Sequence, residues 1–475
     1  MSNSSQASQR IAALLDDNSF VEIGALVTAR ATDFDLKQKD TPADGVVTGY
    51  GVIDGNLVYV YSQDASVLGG SVGEMHAKKI ANLYDLALKT GAPVIGLIDS
   101  AGLRLQEATD ALNAFGEIYL KQTNASGVIP QITAIFGNCG GGLALIPTLT
   151  DFTFMESKKA KLFVNSPNAL DGNYTDKLDT AAAAFQSAEA GMVDVVAEES
   201  EVLAQIRQLV GLLPSNNDDN AYDECEDDLN RVSAELSGCA GDTAVALSLI
   251  ADDNVFFETK ADYAKEMVTG LLKLNGVTVG AVANRCEILG DDGKVSEKMD
   301  AVLTVNGCEK AADFIQFCDA FNIPVLSLTN VKGYEATVAS EKKIARAVAK
   351  LTYAFANATV PKINVVVGEA LGTAYVAMNS KAIGADFTFA WNDSKIAAMD
   401  AKSAAQIIYD GESSDVIDEK AKAYADLQGS AKGAARRGYV DQLIDAQDTR
   451  KYVIGALEML YTKRDERPAK KHGTV

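Results

Sequence analysis

Histidine is scarce here, with only His76 and His472 in 475 residues, and that scarcity narrows the chemistry available. A Ser-His-Asp triad would have to use His76, which sits in the polar, helix-prone stretch Gly73-Glu74-Met75-His76-Ala77-Lys78-Lys79, where a surface or capping role is expected. Metal-ligand spacing is absent, so no metal site is expected. The six cysteines, Cys139, Cys225, Cys239, Cys286, Cys308 and Cys318, contain no CxxC pair. A chain this long does not need a disulfide framework, and a reducing cytoplasm is the simplest expectation. Cys139 precedes a glycine run, but with no histidine near it in sequence a small buried thiol is expected rather than a nucleophile. Neither GxxxxGK[ST] nor GxGxxG after the first strand is present, which removes direct ATP and dinucleotide chemistry. No apolar run reaches the roughly 20 residues that span a bilayer, and Ser2 to Arg10 lacks the pattern of a signal peptide. Cations are outnumbered 65 to 43, giving a net charge of -22, so a broad nucleic-acid or anionic-membrane surface is excluded. An anionic substrate would have to rely on local basic residues or helix N-termini.

What remains is a chain 47% hydrophobic and only 7% aromatic, a balance that favours an α/β enzyme. The length predicts two or three domains. The polar, acidic run from Pro214 to Asp228 lacks a core face and divides the chain nearly in half. We therefore expect domains at 1–214 and 245–475 with an acidic connector at 215–244.

Laying the second half over the first with a shift of 231 residues puts Pro93 on Pro324, Asp99 on Asn330, Gly102 on Gly333 and Pro130 on Pro361. Gly137 then meets Gly368, and Gly141 meets Gly372. Four residues of adjustment later, Asp151-Phe152-Thr153-Phe154 matches Asp386-Phe387-Thr388-Phe389. Turn-formers and strand ends kept in register over about fifty positions indicate two copies of one structural unit. Each copy reads as a helix (77–88 or 310–321), a buried strand (93–98 or 324–328), a glycine turn, a second helix and another strand (129–136 or 360–367). That strand is expected to stop at Gly137 or Gly368, ahead of the small-residue turns 138–144 and 369–375.

A glycine turn that opens a helix leaves unpaired N–H groups pointing outward, a setting suited to an oxyanion. Gly102 with Gly141 and Gly142 would form one such pocket, and Gly333 with Thr373 and Ala374 the other. The alternative is that these glycines only permit tight helix–sheet packing.

Several strings resemble the carboxyltransferase subunits of biotin-dependent acyl-CoA carboxylases and decarboxylases over nearly the whole chain. They include Asp44 to Gly51, Gln63-Asp64, Gly69 to Ile80, Asp99 to Glu107, Ser126 to Ile132, Arg437 to Asp441, and Lys470-Lys471-His472-Gly473. The resemblance implies two tandem crotonase-like spiral domains related by internal duplication. It also implies a hexamer whose active sites combine the first domain of one subunit with the second of another. The first hole, at Gly102, Gly141 and Gly142, would hold the thioester enolate of an acyl-CoA of the propionyl/methylmalonyl, acetyl/malonyl or glutaconyl class. The second, at Gly333, Thr373 and Ala374, would hold the ureido oxygen of biotin. Ala101, Arg104, Gly140, Tyr334, Gly372 and Val376 are the substrate-binding candidates beside them, with Val376 either at a pocket floor or in the core.

The sequence departs from the family's pattern at Asn165 to Asn173, where a Gly-Pro and Thr-Gly-Glu stretch is usual. Lys332-Gly333-Tyr334 stands for Pro-Gly-Phe, and Gly372-Thr373-Ala374-Tyr375 for Gly-Gly-Ala-Tyr. Nothing resembles a Met-Lys-Met biotinylation site, so biotin is expected on a separate carboxyl carrier protein. A biotin carboxylase or membrane decarboxylase subunit would complete the system. Two other readings remain: an enoyl-CoA hydratase or isomerase using one hole with Glu107 or Glu117, which the duplication weighs against, and a non-catalytic scaffold paralogue.

Overall fold

The computed structural model describes residues 5–30, 41–219, 222–290, 292–470 and 473, so Lys471 and His472 lie outside the described residues. The chain divides into two compact units, Met1–Ala221 and Tyr222–Val475.

The first unit is built on a seven-stranded sheet in simple sequential order. Its strands are β1 (Val21–Ile23), β2 (Val46–Ile53), β3 (Asn56–Gln63), β4 (Val94–Ile98), β5 (Gln131–Ile135), β6 (Phe152–Glu156) and β7 (Val195–Ala197). The first three run antiparallel and β3 to β7 are parallel. Both β4 and β5 are buried along their whole length, as apolar runs covered on both faces must be. Its longer helices are α1 (Gln6–Leu14), α2 (Glu74–Thr90), α3 (Ala108–Ala125) and α4 (Glu199–Leu212). α2 buries Ala77, Ile80, Leu83, Tyr84 and Ala87 at helical spacing and ends where Gly91 turns left-handed.

The second unit repeats this order with β8 (Phe256–Thr259), β9 (Met267–Leu274), β10 (Val277–Asn284), β11 (Val325–Val331), β12 (Lys362–Leu371), β13 (Phe387–Trp391) and β14 (Gln442–Ile444). Its first three strands are again antiparallel and the rest parallel. Helices α5 (Val305–Ala320), α6 (Ile344–Asn357) and the short α7 (Gly372–Ala377) belong to it. The registers correspond residue by residue: Tyr59 faces Val94 as Gly280 faces Val325, and Val94 faces Gln131 as Val325 faces Lys362.

Side chains at matching positions do matching work. Asp151 accepts the Gln131 N–H at 2.8 Å, and Asp386 accepts the Lys362 N–H at 2.8 Å, each tying a strand start to the next strand. The carboxylate of Asp99 and the amide of Asn330 lie so close to Gly137 and Gly368 that a Cβ there would approach within 2.0 and 2.5 Å, which excludes any side chain. The buried Lys79 donates to the carbonyls of Ala43 and Val46, and the buried Lys310 to those of Lys260 and Tyr263 at 2.8 Å.

Three expectations change. The segment expected as a connector at 215–244 is not free in its second part, because Leu236 and Cys239 enter the second core and Arg231 donates to the carbonyls of Leu249 and Ala251. β12 does not stop at Gly368 but continues to Leu371, since Glu369–Leu371 pair with Lys395–Ala397. The first unit splits the same path into β5 and a short strand, Asn138–Gly140, paired with Lys161–Phe163. Both turns therefore begin at Gly141 and Gly372. Among the described residues no helix is long and apolar enough to cross a membrane.

Candidate active site

In the first unit the segment after β4 is stitched to residues 69–72. Ala101 N–H donates to Gly69 O at 2.8 Å, Val72 N–H to Gly102 O at 2.8 Å, and Arg104 N–H to Val72 O at 3.0 Å. This brings Gly102 against the Gly140 carbonyl, 3.7 Å from where a Cβ would stand. Gly141, with φ +64°, opens the tight helical turn Gly141–Ala144. The first N–H groups of such a turn have no acceptor within it. The structure thus gathers Gly102, Gly140, Gly141 and Gly142. The N–H of Gly102 is engaged, donating to Ser100 Oγ at 3.0 Å, and that of Ala101 is spent on Gly69. Tyr119 fastens the turn from the other side, its hydroxyl donating to Gly142 O at 2.5 Å.

Arg104 is not placed to bind substrate. It is 1% exposed, and its guanidinium is consumed by Asp44 Oδ1 (2.6 Å), Glu107 Oε1 (2.8 Å), Ser71 Oγ (3.2 Å) and Ser71 O (2.7 Å). It acts as a latch under the Gly102 segment. Burial pushes the Asp44 carboxyl up more than Arg104 pulls it down. The surface role expected of His76 also fails. The residue is fully buried, with its backbone N–H on Asp44 Oδ2 at 2.8 Å and its ring between Asp44 O and the Gln63 amide. Burial first, then Arg104, depresses its pKa to about 3, so the ring is neutral. Cys139 is a buried thiol pushed upward by burial, as its position suggested. Glu107 is committed to Arg104 and the Glu74 N–H, and Glu117 is exposed on α3, so neither is set as the base a hydratase needs.

In the second unit all six candidates line one cavity of about 800 Å³: Gly333, Tyr334, Gly372, Thr373, Ala374 and Val376. Gly333 and Tyr334 form a two-residue strand paired with Val302 and Leu303. Gly372, with φ +63°, matches Gly141 in conformation and opens α7, in which Thr373 and Ala374 follow it. The Tyr334 and Thr373 hydroxyls are 2.7 Å apart. Val376 faces the cavity rather than the core. At the rim Glu369 bridges Lys332 (2.8 Å) and Lys395 (3.3 Å). Burial raises the Glu369 carboxyl, but the two ammonium groups outweigh it and the net shift is downward.

Sequence reasoning missed the Lys332–Glu369–Lys395 cluster, whose members are far apart in the chain. It also missed Arg10, which donates to Asp99 Oδ2 at 3.1 Å and fixes the end of β4. No local pattern marks either. Among the described residues no group of three or more His, Cys, Asp or Glu side chains is placed to hold a metal ion.

The carboxyl transferase domain family matches residues 2–475. Methylmalonyl-CoA decarboxylase subunit alpha of Veillonella parvula is 40% identical over 482 residues, covering 99% of this chain and 92% of the relative. The propionyl-CoA carboxylase beta chain of Roseobacter denitrificans is 37% identical over 484 residues, covering 99% and 93%. Among solved structures, the transcarboxylase 12S hexamer with hydrolysed methylmalonyl-coenzyme A bound superposes with a TM-score of 0.90 at 37% identity, covering 98% of this chain and 92% of that one. The chain therefore belongs to the carboxyl transferase family, among the carboxyltransferase subunits of biotin-dependent acyl-CoA carboxylases and decarboxylases.

Proposed function

We propose that this chain moves a carboxyl group between the α-carbon of an acyl-CoA and biotin borne on a separate carrier protein. The observation that carries the reading is the pair of left-handed glycine turns, Gly141 and Gly372, each directly following a strand segment paired to the next parallel strand. The shared strand order and register support the further reading that the two units are copies of one crotonase-like spiral.

At the first turn the N–H groups of Gly141 and Gly142 stabilise the thioester oxygen as the α-carbon gains enolate character. The Gly102 N–H joins them when the Ser100 hydroxyl rotates away. At the second turn, where Thr373 and Ala374 line the cavity with Gly333, their N–H groups take the ligand oxygen. Biotin, when bound, supplies a ureido nitrogen that carries the carboxyl and a ureido oxygen that takes negative charge when the carboxyl leaves. The cavity suits such a group, with apolar walls at Val376, Ile396 and Met399 and hydroxyls at Tyr334 and Thr373. A neutral, buried His76 and two occupied carboxylates, Asp44 and Glu107, fit a site working by oxyanion stabilisation more than by acid–base catalysis.

The partners that fit are a biotin carboxyl carrier protein and either a biotin carboxylase or a membrane decarboxylase subunit, since the transfer runs both ways. Assembly as a homo-hexamer is part of the same proposal, by likeness to transcarboxylase 12S. All six cysteines are free, which suits the cytoplasm.

The test is transfer of labelled carboxyl from malonyl-CoA, methylmalonyl-CoA and glutaconyl-CoA to free biotin by the purified chain, beside Gly141→Val. Transfer from one of them, lost in the variant, is the expected result. Coenzyme A binding with no transfer from any of the three, even with a biotinylated carrier supplied, would replace this reading with the scaffold one.

A further inference from the structure

We propose that the Thr373 hydroxyl is a catalytic side-chain donor at the second turn, and that Tyr334 is the positioning residue that orients it. The inference rests on the reading that a ureido oxygen is held at this turn. Tyr334 comes from the two-residue strand Gly333–Tyr334 and Thr373 from the start of α7, yet their hydroxyl oxygens meet at 2.7 Å on the wall of one cavity. Neither hydroxyl makes another hydrogen bond among the described residues.

A proton count gives the pair its use. Two hydroxyls hold two protons, and the bond between them uses one, so one O–H is left to point into the cavity. Acidity sets the direction. A phenol, with an ordinary pKa of about 10, is a better donor than an aliphatic alcohol, and the alcohol a better acceptor. Tyr334 therefore donates to Thr373 Oγ1, and Thr373 O–H turns toward the ligand. As negative charge grows on a ligand oxygen beside the turn, both bonds in the chain shorten together, so the phenol strengthens a contact it does not itself make. No proton needs to cross.

The first turn has nothing equivalent. By the shift of 231 residues that equates Gly102 with Gly333, Tyr334 corresponds to Leu103 and Thr373 to Gly142. These are also two of the positions where the sequence departs from Pro-Gly-Phe and Gly-Gly-Ala-Tyr. A hydroxyl is added at each, and the fold brings the two additions together.

The experiment is steady-state carboxyl transfer between free d-biotin and the acyl-CoA that the parent uses, for the parent, Thr373→Val, Thr373→Ser, Tyr334→Phe and the Tyr334→Phe/Thr373→Val double variant. Thr373→Val is expected to lower kcat about 10- to 100-fold with KM for biotin changed less than about twofold. Tyr334→Phe should lower kcat about 3- to 10-fold, and the double variant should be no worse than Thr373→Val, because the phenol acts only through the threonine. Thr373→Ser, which keeps the hydroxyl, should recover most of the lost rate. Parental kcat in Thr373→Val, losses that multiply in the double variant, or a change confined to KM would each overturn the proposal. A parent that transfers no carboxyl to free biotin or to a biotinylated carrier would remove the carboxyl-transfer reading and this inference with it, whereas an active parent with an equally active Thr373→Val removes this inference alone.

Discussion

The two units share one backbone plan but finish their turns differently. In the first, the turn is lined by glycines, and the chemistry-bearing side chains nearby are buried and already paired: Arg104 with Asp44 and Glu107, and His76 with Asp44 and Gln63. In the second, hydroxyls stand on an open cavity of about 800 Å³ and the charged cluster sits at its rim. On the proposed function, the difference separates two ways of making a binding turn precise. One braces bare backbone from beneath with a buried ion network. The other adds side-chain hydroxyls on the wall of the cavity.

The two turns differ least at the glycines that open them, Gly141 and Gly372. Valine at either Gly141 or Gly372 would have to adopt φ near +64°, a region β-branched residues avoid, and would place a side chain at the turn. If both turns hold a developing charge, Gly372→Val should reduce carboxyl transfer as severely as Gly141→Val, by about 100- to 1,000-fold, measured with labelled acyl-CoA. A large loss in only one variant would reduce the pair to a single working turn.

Next comes the bracing. Arg104→Met removes the partner of two buried carboxylates and should destabilise the first unit by about 3–5 kcal/mol. The single tryptophan, Trp391, lies in the core of the second unit and reports on that unit alone. Urea unfolding followed by circular dichroism should therefore shift to lower denaturant while the Trp391 fluorescence transition moves less. Coincident shifts would mean that the latch supports both units equally.

The smallest expected effect is a pH dependence confined to the first unit. His76 is held at about 3 in the folded chain and returns to about 6.5 when unfolded, so the unfolded state binds the extra proton between those values. Its contribution is fully present above about pH 6.5 and lost as pH falls toward 3, amounting to about 2 kcal/mol by pH 5. Asp151, raised by burial to about 7, acts in the opposite sense over the same range. The His76 share is therefore read as the difference between the parent and His76→Gln, which should lose less stability between pH 7 and pH 5. Position 307, the counterpart of 76, is a glycine, so the second unit lacks this sensitivity.

Local pattern carried more of the second candidate site than of the first. Gly372, Thr373, Ala374 and Val376 could be picked out because a strand, a small-residue turn and a short helix are contiguous in the chain, Gly333 through the repeat and Tyr334 through the family resemblance, and all six line one cavity. The repeat was legible for the same reason, since its markers are strand ends and turns. What escaped was tertiary. Nothing beside Arg104 or His76 announces that residues 44, 63 and 71 close over them, and a polar heptapeptide around His76 looks like surface until Asp44 is folded against it. The extension of β12 to Leu371 depends on pairing with residues 395–397, beyond the reach of any local pattern.

On the proposed function the two turns divide the labour, with the enolate at the first and the ureido oxygen at the second. That division is tested most directly by withholding biotin and following release of labelled CO2 from the carboxylated acyl-CoA, a reaction that makes the enolate without the second site. Slow release is expected in the parent, a rate within about threefold of it in Gly372→Val, and about a hundredfold less in Gly141→Val. Equal losses in the two variants, or parental release from Gly141→Val, would contradict that division.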